Sequence, residues 1–159
     1  MKVSILAVGR LKNGPEQTLF NRYMDMFNAS ARQLKIPPIA VIEVPEGRAD
    51  TAAERKAEEA HDLQARLAPG VRVVALDETG EMRTSTDFTA MISRLRDEAL
   101  DVAFVVGGPD GHSDAFRQSA HFKLSLSRMT LPHGLARIML AEQLYRAVSI
   151  MQGHPYHRA

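Results

Sequence analysis

Cysteine is absent from this chain of 159 residues. That excludes disulfides, thiolate catalysis and zinc or iron–sulfur centres held by cysteine. Long apolar runs are missing too. No stretch approaches the roughly 20 residues needed to cross a bilayer. The opening segment, Met1 to Arg10, carries only a few consecutive apolar residues, too few for the core of a signal peptide. The expectation is a soluble, cytoplasmic protein with no membrane partner. Several chemical motifs also fail. Gly9 and Gly14 have the glycine spacing of a phosphate-binding loop, but Pro15 and Glu16 stand where lysine and a hydroxyl residue are required. No Gly-x-Gly-x-x-Gly follows the first apolar run, which argues against a dinucleotide site. No Gly-x-Ser-x-Gly elbow is present, so a hydrolase triad lacks its nucleophile turn. His154 and His157 could share a helix face, but zinc needs further ligands, and no metal is expected.

Acidic residues are nearly missing from one part of the chain. Residues 1–114 hold 14 Lys/Arg and 18 Asp/Glu, whereas residues 115–159 hold six Lys/Arg and a single acid, Glu142. Four of the six histidines, His121, His133, His154 and His157, fall in that second part. A cationic end on a chain of net charge +1 fits either a polyanionic partner met at one face or charges scattered over a surface. Charge alone does not separate the two.

With 45% hydrophobic and 25% charged residues, the composition is that of a globular chain. The length suits a single domain over residues 1–159. Strand and helix patterns alternate. Val3 to Val8, Ile39 to Val44, Val71 to Leu76, Val102 to Val106 and Phe122 to Leu126 read as strands. Pro15 is placed to start a helix whose stripe is Leu19, Tyr23, Met26 and Phe27, with Pro37-Pro38 ending it. Thr51 to Glu54 and Thr84 to Asp87 read as capping boxes. The helix after the first would bury Ala53, Ala57, Ala60, Leu63 and Leu67 and close at Gly70. The helix after the second would bury Phe88, Met91, Ile92, Leu95 and Ala99. A short polar helix follows Gly111, and a last helix spans Leu135 to Met151, apolar on more than one side. Strands apolar at every position are buried on both faces, so the class is α/β with a mostly parallel sheet. The broad apolar surface of the last helix implies deep burial or a second subunit.

In such sheets ligands bind beyond the carboxyl ends of the strands. Three segments there carry informative residues: Leu76 to Gly80, Gly107 to Gly111, and Ser127 to His133. The paired glycines Gly107-Gly108 would let a ligand press against backbone, or form an ordinary tight turn. The C-terminal His154-Pro-Tyr156-His157-Arg158 gathers a potential base, a phenol and a guanidinium, groups suited to holding an anion and moving a proton.

The run from Leu131 to Ala147, Leu-Pro-His-Gly-Leu-Ala-Arg-Ile-Met-Leu-Ala-Glu-Gln-Leu-Tyr-Arg-Ala, followed by Pro155-Tyr156-His157-Arg158, strongly resembles the ribosomal RNA large subunit methyltransferase H family of the SPOUT superfamily. Ala7-Val8-Gly9, Leu76-Asp77 and Phe104 to Gly111 support the resemblance, which covers the whole chain. It departs at Glu81, where the family commonly has lysine after Leu-Asp-x-x-Gly. That departure bears on a loop contact.

The resemblance implies a Rossmann-like parallel sheet whose C-terminal segment threads a loop to form a trefoil knot. It implies a homodimer with the knotted helices at its interface, and S-adenosylmethionine as cofactor. It implies methyl transfer to N3 of pseudouridine 1915 in 23S rRNA of the ribosome. Carried over by position, the cofactor site uses Leu76, Gly108 and the segment Ser127, Arg128, Met129, Thr130, Leu131 and Pro132, with Leu76 and Leu131 as apolar walls. N3 of pseudouridine carries a proton, so a base is needed. His157 is the first choice, with Glu142 or His133 as alternatives, while Tyr156 and Arg158 would position the RNA. Lys123, Arg128 and Arg137 would contact the RNA backbone. Structural roles stand beside these: His133 as a helix-start residue, and Glu142 as the partner of Arg146 one turn on. Two rival functions remain, a ribosome-binding factor without catalysis and a methyltransferase of another RNA.

Overall fold

The structure is a computed structural model that describes residues 1–158; Ala159 lies outside the described residues. Five strands, β1 (Val3–Val8), β2 (Ala40–Val44), β3 (Arg72–Met82), β4 (Val102–Val106) and β5 (Phe122–Ser125), form one sheet in the order β2-β1-β4-β3-β5. Every pairing is parallel. The central strands β1 and β4 are almost wholly buried, as their unbroken apolar sequences require.

Helices cover both faces. On one side α1 (Pro15–Ala31), α3 (Ser85–Asp97) and α5 (His133–Met151) enclose the larger core, with Phe20, Phe27, Phe88, Phe104 and Leu144 at its centre. On the other, α2 (Ala52–Gln64) and α4 (Asp114–Ser119) cover a smaller core around Leu6, Val105, Leu63 and Phe116. Helix starts follow their capping residues. Pro15 opens α1, and the hydroxyls of Thr51, Thr84 and Ser113 accept the N–H groups of Glu54, Asp87 and Phe116.

Several buried faces differ from the sequence expectation. In α1 the buried stripe is Phe20, Met24, Phe27 and Ala31, and Leu19 is exposed. In α2, Leu63 is buried and Ala60 and Leu67 are half-buried as expected, but Ala53 and Ala57 face solvent and Glu59 is buried in their stead. The helix has turned Ala53 and Ala57 outward and placed Glu59 against a loop. In α3, Ala99 lies beyond the helix with φ 54 and is exposed. Helix α5 begins two residues earlier than expected, at His133.

Strand β3 runs to Met82, well past Leu76, and its pairing with β5 slips between Leu76 and Glu81, both of which face Leu124. The slip ejects residues 77–80 into a protruding segment beside the strand ends. Gly80 permits the return: a Cβ there would stand 2.7 Å from the Lys123 carbonyl carbon.

Candidate functional site: a cavity at the strand ends

The ejected 77–80 segment, the loop after β4 and the loop after β5 enclose a cavity of about 700 Å³, with Lys56, Arg117 and Ala136 at its margins. Leu76, Val106, Leu124, Leu126 and Leu131 supply apolar wall, and Asp77, Glu78, Asp110 and Asp114 supply carboxylates. Size and lining suit a ligand with an apolar body and a few polar anchor points.

Each wall is fastened from behind. Asp77 accepts the N–H and hydroxyl of Thr79, each at 2.8 Å, and pairs with Arg117. Burial pushes the Asp77 carboxyl up, but those two hydrogen bonds and the Arg117 charge outweigh it and hold the carboxyl below its usual range. The glycine turn closes with the Gly111 N–H donating to the Gly108 carbonyl at 3.0 Å, Gly111 taking φ 78. Arg55 of α2 clamps Asp110 of that turn at 2.8 Å, and this hydrogen bond lowers the Asp110 carboxyl. His112 donates Nε2–H to the Val105 carbonyl at 3.2 Å and stacks on Phe116. Burial depresses its imidazole, so it stays neutral near pH 7. The third wall hangs on Glu78. Its carbonyl accepts from Ser125 Oγ at 3.0 Å and from Arg128 at 2.7 Å, and its carboxylate accepts from Thr130 Oγ1 at 3.1 Å.

Of the residues singled out from sequence, Leu76, Gly108, Ser127, Met129, Thr130, Leu131 and Pro132 line this one cavity, and so does His133. Arg128 does not line it; the guanidinium folds back onto the Glu78 carbonyl. The missing Cβ of Gly108 does not face a ligand. It would stand 2.9 Å from Val8 and 3.1 Å from a Glu59 carboxylate oxygen, so the close approach there is to packing behind the loop. Glu81 is exposed and pairs with Arg83 at 2.8 Å.

His157, Tyr156 and Arg158 do not reach the cavity of their own chain. Ala136 is at its edge, and Arg146, ten residues later, is about 15 Å further along α5. There the tail folds back. Tyr156 donates its hydroxyl to Glu142 at 3.0 Å, Arg146 lies over the Tyr156 ring at 4.8 Å, and Arg146 also donates to His157 Nδ1 at 3.2 Å. A guanidinium can only donate, so this contact engages the Nδ1 lone pair. Burial, followed by the hydrogen bond to Glu142, pushes the Tyr156 phenol well above its ordinary range, so it stays protonated.

Arg137 overturns one expectation. It is 1% exposed and cannot reach an RNA backbone. Its guanidinium donates to Glu43 at 2.6 Å and to the Gly9 and Val8 carbonyls at 2.5 and 3.3 Å, tying α5 to the end of β1. Burial raises the Glu43 carboxyl, but Arg137 and the Leu11 N–H together leave it below its usual value. Sequence reasoning also missed Arg117, Arg55 and Glu59. Arg55 and Glu59 lie four residues apart on one helix, the only signal that could have grouped them.

A parallel α/β sheet with a cavity at its strand ends is the layout of a nucleotide- or cofactor-binding enzyme. A family model described as predicted SPOUT methyltransferase matches residues 1–157. Ribosomal RNA large subunit methyltransferase H of Brucella anthropi is 46% identical over 160 residues, covering 100% of both chains. That of Methylocella silvestris is 47% identical over 159 residues, covering 99% of each. Among solved structures, a probable methyltransferase from Bordetella pertussis shares the fold with a TM-score of 0.51 at 17% identity, covering 92% of this chain and 95% of that one. A probable methylase family protein from Haemophilus influenzae gives a TM-score of 0.52 at 7% identity, over 99% of this chain and 70% of the other. The chain belongs to the SPOUT methyltransferases, and within them to the ribosomal RNA large subunit methyltransferase H family.

Proposed function

We propose that this protein, acting as one catalytic unit over residues 1–159, is an S-adenosylmethionine-dependent ribosomal RNA methyltransferase. Its target is N3 of pseudouridine 1915 in the 23S rRNA of the assembled ribosome. The observation that carries this reading is the convergence of three strand-end segments on one apolar-walled cavity, in a chain 46% identical to a named ribosomal RNA methyltransferase. Leu76 and Leu131 would flank the adenine, and the backbone of Gly107, Gly108 and residues 127–132 would read its edge. When bound, S-adenosylmethionine supplies a methyl carbon activated by its sulfonium. The chain's own task is to hold the acceptor nitrogen in line with that carbon and to exclude water.

The tail enters through a second copy of the chain. The cavity of one chain lacks His157, Tyr156 and Arg158, which are held at the other end of α5. Leu19 of α1 and Leu135 and Met139 of α5 are exposed large apolar residues. They fit a homodimer in which each tail faces the partner's cavity. His157 then serves as base only after Arg146 releases its Nδ1, and Tyr156 and Arg158 position the nucleotide. Trapping of the C-terminal segment in a trefoil knot belongs to the same reading, as does a cytoplasmic location. Among the described residues no helix is long and apolar enough to cross a membrane.

Transfer of labelled methyl groups to ribosomes carrying or lacking the target pseudouridine tests the reading. Incorporation only into the former is expected, and equal or no incorporation overturns the assigned position. Sedimentation should give twice the chain mass, and a concentration-independent monomer contradicts the shared site.

A further inference from the structure

Glu59 is the one acid among the described residues that is almost fully enclosed, at 4% exposure. It sits on α2, behind the glycine turn that forms one wall of the cavity. Its Oε1 accepts the Gly47 N–H at 2.9 Å. A Cβ on Gly108 would stand 3.1 and 3.3 Å from its two oxygens. Gly108 itself lines the cavity, so the carboxylate lies one backbone thickness behind that wall.

Its other neighbours do not neutralise it. Asp110 of the turn and Glu46 of the loop after β2 add like charge, and Arg55, the nearest cation, is clamped on Asp110. On the side away from Gly108, Glu59 lines a second, shallower cleft with Glu46, Arg48, Glu58, His61 and Asp62. Burial first, and then the charges of Asp110 and Glu46, push the Glu59 carboxyl above its usual range. A buried acid with one hydrogen bond and two acidic neighbours is costly to retain. Simple packing of α2 on the sheet would be served better by leucine.

We propose that Glu59 is a specificity-determining residue of the cofactor cavity: its carboxylate behind Gly108 biases the site toward a cationic ligand over its neutral counterpart. Resting on the methyltransferase reading, this means that the sulfonium cofactor is held more tightly than the neutral thioether left after transfer. The two ligands differ only in the methyl group on sulfur and the positive charge that it brings. A unit charge a few ångströms behind the wall, at the effective dielectric of a protein, is worth about a fivefold to tenfold difference in affinity. The bias helps product leave a site that must otherwise grip the same adenosyl group twice per cycle.

The test is calorimetric titration of the protein and its Glu59→Gln variant with S-adenosylmethionine and with S-adenosylhomocysteine. Glutamine keeps the size of the side chain and can still accept the Gly47 N–H. The variant is expected to lower the ratio of the two affinities about fivefold, with binding of the thioether held within about twofold. An unchanged ratio, or both ligands weakening together, overturns the proposal. Should the variant fail to fold, the wild-type ratio measured from about pH 5 to pH 8 decides. It rises as Glu59 loses its proton, and a flat ratio overturns the proposal. Asp77 and Asp110, held below their usual range, are already ionised there. If neither ligand binds wild-type protein at all, the methyltransferase reading fails instead.

Discussion

The two ends of α5 each carry an arginine bound to a glutamate, and the two pairs differ in what surrounds them. Arg137, one turn into the helix, is 1% exposed and is shared between Glu43 and two strand-end carbonyls. Arg146, nine residues later, is a quarter exposed; it holds Glu142 on its own helix and, through His157 and the Tyr156 ring, the tail. The first pair joins elements far apart in sequence and fixes where the helix meets the sheet. The second joins neighbours at i,i+4 spacing and holds the folded-back tail. Buried ion pairs are costly to break singly, whereas half-exposed ones are weak. The cavity end of α5 is therefore held more firmly than the tail end.

The largest expected effect of breaking that contrast is at the cavity end. Glu43→Gln keeps an acceptor for Arg137 but removes its countercharge and should cost about 3 kcal/mol, at the low end for a buried pair because Glu43 is itself partly exposed. On a chain of this size thermal unfolding should fall by about 8 °C. A loss below about 2 °C would place the pair with weak surface contacts.

The tail end should respond in activity more than in stability. Tyr156→Phe removes the hydroxyl bound to Glu142 and should lower stability by about 1 kcal/mol. S-adenosylmethionine affinity should change little, because Tyr156 does not line its own chain's cavity and, in the proposed dimer, positions the nucleotide and not the cofactor. Methyl transfer to ribosomes should fall by about tenfold or more. A parallel loss of cofactor affinity would contradict the separation of the two ends.

The two ends also differ in their response to pH. The Glu43 carboxyl lies below its unfolded value. Its contribution is present above the ordinary carboxylate range and is lost as pH falls through the depressed folded value. Acid unfolding followed by circular dichroism should therefore begin at higher pH in Arg137→Met than in wild type. The Tyr156 phenol lies above its unfolded value. Its contribution is present below the ordinary tyrosine range and is lost as pH rises through the raised folded value. Ultraviolet titration should show Tyr156 ionising late, and Tyr156→Phe should abolish that step.

The smallest effect concerns the cationic C-terminal region. Of the six Lys/Arg after residue 114, Arg117, Arg128, Arg137 and Arg146 are engaged within the chain. Lys123 is exposed and makes no side-chain hydrogen bond or ion pair among the described residues. Lys123→Ala should leave stability within about 0.5 kcal/mol. It should reduce the salt dependence of ribosome binding by about one phosphate contact if this face meets RNA. An unchanged slope would remove Lys123 from the interface.

The contrast between the ends of α5 was only half legible in the residues. Glu142 and Arg146 are four apart, so helical geometry alone pairs them. Glu43 and Arg137 are separated by 94 residues, and no periodicity connects them. The same limit explains α2. Its alanines are the apolar choice for a buried stripe, but the helix turned Glu59 inward to meet Gly47 and the back of Gly108. A carboxylate is buried only where donors or a ligand's charge wait for it, and those lie on other elements.

Local chemistry in the sequence determined the element order, the helix starts at Pro15, Thr51 and Thr84, the all-apolar strands and hence the parallel α/β class. Each of these is decided by interactions within a few residues. Tertiary structure alone decided which arginines were free and which were spent, the slip that pushes residues 77–80 over the cavity, and the distance between that cavity and the tail. Those outcomes depend on which charges and backbones meet across the sheet, and burial of a charged group is favourable only once its distant partners are in place.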